Sequence, residues 1–370
     1  MTKKLFVHAG FPKTGTTSLQ ASLASARESL QAQGILYPES RGSAQHSAAW
    51  ALTQKTFGWE GRGGYRTPEQ DWLDLVSTVK SSNDTVLISS EFFSHTNQEQ
   101  VAKFKADMNV ADTTIIFTMR SLAKILPSRY QQSLKKGNTW SYDEWLSDIL
   151  QRDNPNPTSL KFGNYSNIIS RWANVFGAAN IVVVVVDENS PNLIFDAFHE
   201  ILGLMPKTLV KVEDKALNRS LTTEETVLLA SLNHAFKGQG NWKEYVRFVR
   251  NQIVKAWSGR PASKEHSRIH TPEWAVDKAV ELAHKNIEHI QSLGIKVHGD
   301  LNLLASRNVL IGDMSASTVI PATLASETLL SVQRRFEKRL ERRDKRIKRL
   351  IASRRPLYKV ILRRLRRKKS

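Results

Sequence analysis

Lys13, Thr14, Gly15, Thr16, Thr17 and Ser18 stand together in the stretch LFVHAGFPKTGTTSLQ, residues 5–20. A lysine, several hydroxyls and a glycine at that density are the residue types that bind an oxyanion. The stretch reads as an apolar strand (Leu5, Phe6, Val7), a tight loop from Gly10 to Gly15, and a helix opening at Thr16 or Thr17. Free N–H groups in a first helical turn, together with the helix dipole, favour negative charge. Pro12 stiffens the entry and Gly15 allows close backbone approach. A phosphate or sulfate group is the natural occupant. The loop of nucleotide-triphosphate enzymes has the form GxxxxGK[ST], with its lysine directly after the second glycine and a metal-holding hydroxyl beyond it. Gly10 and Gly15 have that glycine spacing, but Thr16 stands where the lysine belongs and the lysine is Lys13. Metal binding by this loop is therefore not implied.

A second basic position follows the apolar run TTIIFTM at 113–119, where Arg120 is followed by SLAKILPSRYQQSLKKG. A planar guanidinium meets phosphate oxygens two at a time. PKTGTTS, with Arg120 and with Ser128 eight residues further on, resembles the sulfotransferases that use 3′-phosphoadenosine 5′-phosphosulfate (PAPS), and more closely their bacterial, glycan-modifying members. The resemblance covers Lys4–Tyr37 and Val86–Gly137 and is thin elsewhere. It implies that Lys13 and the 14–18 segment hold the 5′-phosphosulfate, that Arg120 and Ser128 hold the 3′-phosphate, and that PAPS is the co-substrate, with no metal. Asn218-Arg219-Ser220 is either the late loop such enzymes bring over the adenine and 3′-phosphate, or a helix cap with an incidental arginine.

Sulfuryl transfer to a hydroxyl needs charge neutralised on the leaving side and a base near sulfur. Lys13 is the residue for the first task. Family members use glutamate or histidine for the second, and two candidates remain open. Glu91 follows the strand VLISS at 86–90, and His46 lies in the polar, glycine-rich stretch 39–70; His95 is a weaker third. Tyr130, Gln131, Gln132, Lys135 and Lys136 suit a sugar acceptor, and a solvated helix face explains them equally well.

The elements that must position these residues alternate. Helices are expected over about 17–33, 68–80, 98–108, 165–176, 191–202, 222–236, 241–257 and 272–293, with strands at 5–7, 35–37, 86–90, 113–119 and 180–186. The segment 153–159 (DNPNPTS) reads as a breaker. Strands and helices in alternation imply a three-layer α/β, P-loop-like fold, with a central parallel sheet and the ligand at the carboxyl ends of the strands. The organisation expected is a domain over 1–305, a linker over 306–330 and a basic amphipathic tail over 331–370.

The chain of 370 residues has no cysteine and so no disulfide or thiol chemistry, which fits a reducing compartment. No signal-peptide core follows the N-terminal MTKK, and IVVVVV at 181–186 is only strand-length. The expectation is a cytoplasmic protein, peripheral on the inner face of a membrane. The net charge of +19 is concentrated: residues 334–370 hold 19 basic and three acidic side chains, a net of +16, leaving +3 for the rest. This tail is expected to be helical from Glu327, interrupted at Pro356, with Leu329, Val332, Phe336, Leu340, Ile347 and Ile351 at three- and four-residue steps. An anionic membrane, an anionic polysaccharide, a coiled coil, nucleic acid or plain solvent are the partners such a pattern allows. A P-loop kinase and a nucleic-acid binder acting through the tail are the competing functions; the first lacks its lysine and the second leaves the two phosphate motifs unexplained.

Overall fold

A computed structural model describes residues 3–40, 42, 44–151, 163–212, 219–259, 261, 267–313 and 319–366. Six strands form one all-parallel sheet in the order β2-β3-β1-β4-β5-β6: β1 Lys4–His8, β2 Ile35–Leu36, β3 Thr85–Ser89, β4 Asp112–Met119, β5 Ile181–Val185 and β6 Lys296–His298. The register explains why the strands are apolar on both faces. Leu5, Val7, Val86, Ile88, Ile115, Phe117, Ile181 and Val183 point into one core, with the helices Gln70–Ser81, Gln98–Met108, Leu122–Leu134, Tyr165–Phe176 and Glu273–Ser292. Leu87, Ile116, Val182 and Val184 point into a second core, under the helices Thr16–Ser25 and Leu193–Leu202. Two cores on opposite faces of one parallel sheet give the expected three-layer α/β arrangement.

β1 lies between β3 and β4. Its own connection runs outward to β2, while that of β4 runs the opposite way to β5, so the sheet has a topological switch point where β1 and β4 meet. In open parallel sheets the ligand crevice opens there, at the carboxyl ends of the strands.

Several elements differ from the sequence expectation, among them an unexpected helix over Tyr142–Leu150 and a break at Ala26 in the first helix. The glycine-rich 39–70 stretch contains a helix, His46–Thr53, whose Ala48, Ala49, Ala51 and Leu52 are buried. β6 pairs with β5 over three residues that carry no strand-length apolar run. The centre of the 242–258 helix, Val246–Val254, is wound as a π-helix. The C-terminal helix runs from Ala322 to Arg366, straight through Pro356. Proline removes one N–H bond, but Ala352, whose carbonyl it would have reached, is exposed and water can serve that carbonyl. The same helix starts inside the segment expected to be a linker: Leu324 is fully buried, and Trp257 Nε1 donates to Thr328 Oγ1 at 3.2 Å. The expected breaker at 153–159 lies outside the described residues.

Candidate active site

The loop after β1 stays tied to β4: the N–H groups of Ala9 and Phe11 donate to the carbonyls of Ile116 and Thr118 at 2.9 and 3.0 Å. Gly10 is fixed by this close approach, since a Cβ there would run into Thr118 Oγ1 and His8 Nε2. Thr14 is fully buried. Its hydroxyl donates to the Phe11 carbonyl at 2.6 Å and lies 2.7 Å from Thr118 Oγ1, so the side chain braces the loop from within. Lys13 and Gly15 both sit at positive φ, 73° and 80°. For lysine that conformation costs about 1 kcal/mol and is the kind of strain found at ligand sites.

No side chain caps the Thr16–Ser25 helix, and its first turn carries no acid. The N–H groups of Ser18 and Leu19 both turn back to the Gly15 carbonyl, at 3.1 and 3.2 Å. Those of Thr16 and Thr17 have no intrahelical acceptor and open toward the loop. Thr16 is buried, Ser18 half-buried and Thr17 exposed. Burial holds the Lys13 amine below the ordinary lysine range, Arg129 and Arg120 push it the same way, and Glu91 opposes them.

Arg120 follows β4 directly, so the sheet sets it beside the Lys13 loop, with Nη1 3.5 Å from the Lys13 carbonyl. Its Nη2 is ion-paired with Glu188, whose other oxygen accepts from Lys124 Nζ at 2.7 Å. Nε of Arg120 is buried with no partner. Ser128, on the Leu122–Leu134 helix, donates to the Ile125 carbonyl at 3.0 Å. Arg219 makes two bonds to Glu225, at 2.8 and 2.7 Å, and Glu225 is fully buried in the capping box of the Thr223–Phe236 helix. Arg219 thus reaches this helix start through Glu225, while Thr222 is the cap itself. Its neighbour Leu221 is bonded through both backbone groups to the Gln131 amide, at 2.9 and 3.2 Å. Asn218 lies outside the described residues.

Glu91 opens a 3₁₀ turn, Glu91–His95, immediately beyond β3. Its Oε2 accepts from Gln20 Nε2 at 3.2 Å and lies 3.7 Å from His46 Nδ1. His46 is the first residue of its helix, with Nδ1 2.8 Å from Ser90 Oγ and its ring edge-on to Phe92. Both base candidates therefore meet in one place. Burial lowers the His46 pKa and Glu91 raises it, with burial the larger influence. His95 Nε2 is buried without a partner, and burial, then Lys55, Arg129 and Lys136, hold its pKa well below the histidine value.

Sequence reasoning missed His8. Its imidazole is fully buried, with Nδ1 2.8 Å from Ser89 Oγ and Nε2 3.2 Å from Thr118 Oγ1. Ser89 Oγ in turn accepts from Gln20 Nε2 at 3.2 Å. A buried polar chain thus runs from Glu91 through Gln20, Ser89, His8 and Thr118 to Thr14. A histidine at the carboxyl end of an otherwise apolar strand was the signal.

Basic side chains flank the cleft. Arg129, Lys135 and Lys136 come from the Leu122–Leu134 helix and the turn after it, and Arg250 from the 242–258 helix. With Lys13, none of them makes an ion pair among the described residues. Burial, then Lys13 and Arg250, push the Lys135 pKa down to about 8, with Glu225 opposing. Trp59 lies against this wall: Nε1 donates to the Lys136 carbonyl at 2.9 Å, and its ring centroid is 4.9 Å from that of Tyr245. Tyr130 and Gln131, by contrast, are committed to the backbone carbonyl of Trp140 and to Leu221. Among the described residues no group of three metal-ligating side chains occurs.

No family model matches the chain. It is 26% identical to an uncharacterized protein of Archaeoglobus fulgidus over 165 residues, which are 43% of this chain and 41% of that relative, so it spans less than half the relative's length. Among solved structures it is similar to a sulfotransferase from Alicyclobacillus acidocaldarius, with a TM-score of 0.39 and 17% identity over 66% of this chain and 99% of that one. It is also similar to the sulfotransferase domain from the curacin biosynthetic pathway, with a TM-score of 0.36 and 10% identity over 77% of this chain and 97% of that one.

Proposed function

We propose that the chain transfers the sulfuryl group of PAPS to a hydroxyl or amine of a carbohydrate. One observation carries this reading. An uncapped helix start and a strained, unpaired Lys13 lie at the sheet's switch point beside Arg120, whose buried Nε lacks a partner. Two separate cationic centres on adjacent strands suit a nucleotide with phosphates at both the 5′ and 3′ positions. A kinase loop would have its lysine at position 16, which is Thr16.

In the transfer, the acceptor oxygen or nitrogen forms a bond to sulfur as the bond from sulfur to the bridging oxygen breaks. The leaving electron pair stays on the 5′-phosphate. Lys13 and the N–H groups of Thr16 and Thr17 stabilise that charge, and the Glu91–His46 pair takes the acceptor's proton. The unpaired cations Lys135 and Lys136 support a sugar acceptor that itself carries negative charge, such as a cell-surface polysaccharide or glycolipid.

Calorimetric titration with adenosine 3′,5′-bisphosphate, beside ATP with magnesium, tests the reading. Binding of the bisphosphate that weakens about 10- to 100-fold in Lys13→Ala and in Arg120→Ala is expected, the range for losing a charged hydrogen-bond donor. Binding of magnesium ATP without the bisphosphate would restore the kinase reading.

A further inference from the structure

The C-terminal helix repeats every eleven residues. Leu329, Leu340, Ile351 and Leu362 are spaced by eleven, and so are Phe336, Ile347 and Tyr358. Eleven residues make three turns at 3.67 residues per turn, close to the 3.6 of a straight α-helix, so the apolar stripe runs nearly parallel to the axis. A heptad would instead wind it into a left-handed coiled coil. The stripe is uncovered: Leu329 is 72% exposed, Leu340 51%, Ile347 43% and Ile351 54%. The helix of 45 residues is about 68 Å long at 1.5 Å per residue.

The root of this helix is anchored. Phe336 stacks on Phe248 at 6.1 Å, and Gln252 Nε2 donates to the Ser331 carbonyl at 2.6 Å. Between the two helices lies a groove of about 470 Å³ lined by Arg247, Arg334, Lys338, Arg339 and Arg342. No acid lines it, and none of these five makes an ion pair among the described residues.

We infer that this helix and groove dock the protein on an anionic phospholipid surface, with the apolar stripe in the interface and the groove holding acidic headgroups. Charge complementarity decides the occupant. A second copy of the helix would bring two segments of net +16 together, whereas an acidic membrane neutralises them. A polyanion such as nucleic acid would use the charges and leave the straight apolar stripe in water. The inference does not depend on the sulfuryl-transfer reading.

The test uses the full chain in co-sedimentation with phosphatidylcholine vesicles, and with vesicles in which part of that lipid is replaced by phosphatidylglycerol. Wild type is expected to pellet with the anionic vesicles only. Leu340→Ser/Ile347→Ser/Ile351→Ser, which keeps every charge, should lose at least about tenfold in vesicle affinity while binding heparin unchanged. Lys338→Gln/Arg342→Gln should lose several-fold, and an unaltered thermal melt of both variants certifies the fold. The inference fails if wild type ignores anionic vesicles, if the serine variant binds them as wild type does, or if wild type is a stable dimer that the serine variant makes monomeric.

Discussion

His46 Nδ1 lies 3.7 Å from Glu91 Oε2 and 2.8 Å from Ser90 Oγ, so an imidazole and a carboxylate share one edge of the cleft. A histidine acts as base only when neutral. Burial keeps His46 neutral to a pH below its ordinary 6.5, and Glu91 works against this by favouring the imidazolium. The acid limb of turnover should therefore fall below the usual histidine value. Removing the Glu91 charge should move it lower still, provided His46 takes the proton. The check is kcat against pH for Glu91→Gln. A limb displaced to lower pH with turnover retained assigns the proton to His46. Loss of about 100-fold or more in kcat at every pH assigns it to Glu91.

Glu188 holds the guanidinium that the proposed function assigns to the 3′-phosphate. It is paired with Arg120 and also accepts from Lys124 at 2.7 Å. A partly exposed pair of this kind is worth at most about 1 kcal/mol. Glu188→Gln should therefore tighten binding of adenosine 3′,5′-bisphosphate by about twofold to fivefold, read by calorimetry. Weaker binding would mean that Glu188 positions Arg120 rather than occupying it.

Lys135 offers a pH signature for anion binding. Its amine titrates at about 8, pushed down by burial and by Lys13 and Arg250. An anion held beside Lys13 offsets that repulsion and raises the Lys135 pKa, so above pH 8 binding must take up a proton. Bisphosphate affinity should fall as pH rises through about 8, by no more than about tenfold per pH unit for one proton. Lys135→Met should bind more weakly at neutral pH and show a flatter profile. An unchanged slope in the variant would remove Lys135 from the site.

The strand, loop and helix start around Lys13 were legible because few arrangements put Gly10, Lys13 and Gly15 after an apolar strand. What each hydroxyl does was not: Thr14 turns inward and Thr17 outward, a matter of loop dihedrals rather than of pattern. Gly10 illustrates the same limit. In the sequence it marks only the start of a tight loop, yet a Cβ there would strike His8 and Thr118. The layer order followed from strands apolar on both faces. β6 was too short to signal itself, and the His46 helix was hidden by the glycines around it. The pairing of Arg219 with Glu225, six residues on and also the N3 residue of a capping box, carried no sequence signal of its own.

His8 ties stability to pH. Its ring is buried edge-on to Phe198 at 5.2 Å, and burial pushes its pKa from 6.5 down to about 3. The unfolded imidazole accepts a proton near 6.5 while the folded one does not. Above 6.5 the two states bind equally and nothing is lost. Below it the unfolded state gains, so stability falls as pH drops from 6.5 toward about 3, by at most about 1.4 kcal/mol per pH unit. His8→Asn breaks the chain between Ser89 and Thr118 and should be less stable at neutral pH, by about 1–3 kcal/mol. The same variant has lost the titrating group, so its deficit against wild type should shrink on going to about pH 5. Urea midpoints of both proteins at the two pH values decide the matter, and a deficit that stays constant would show that the His8 environment does not exclude the proton.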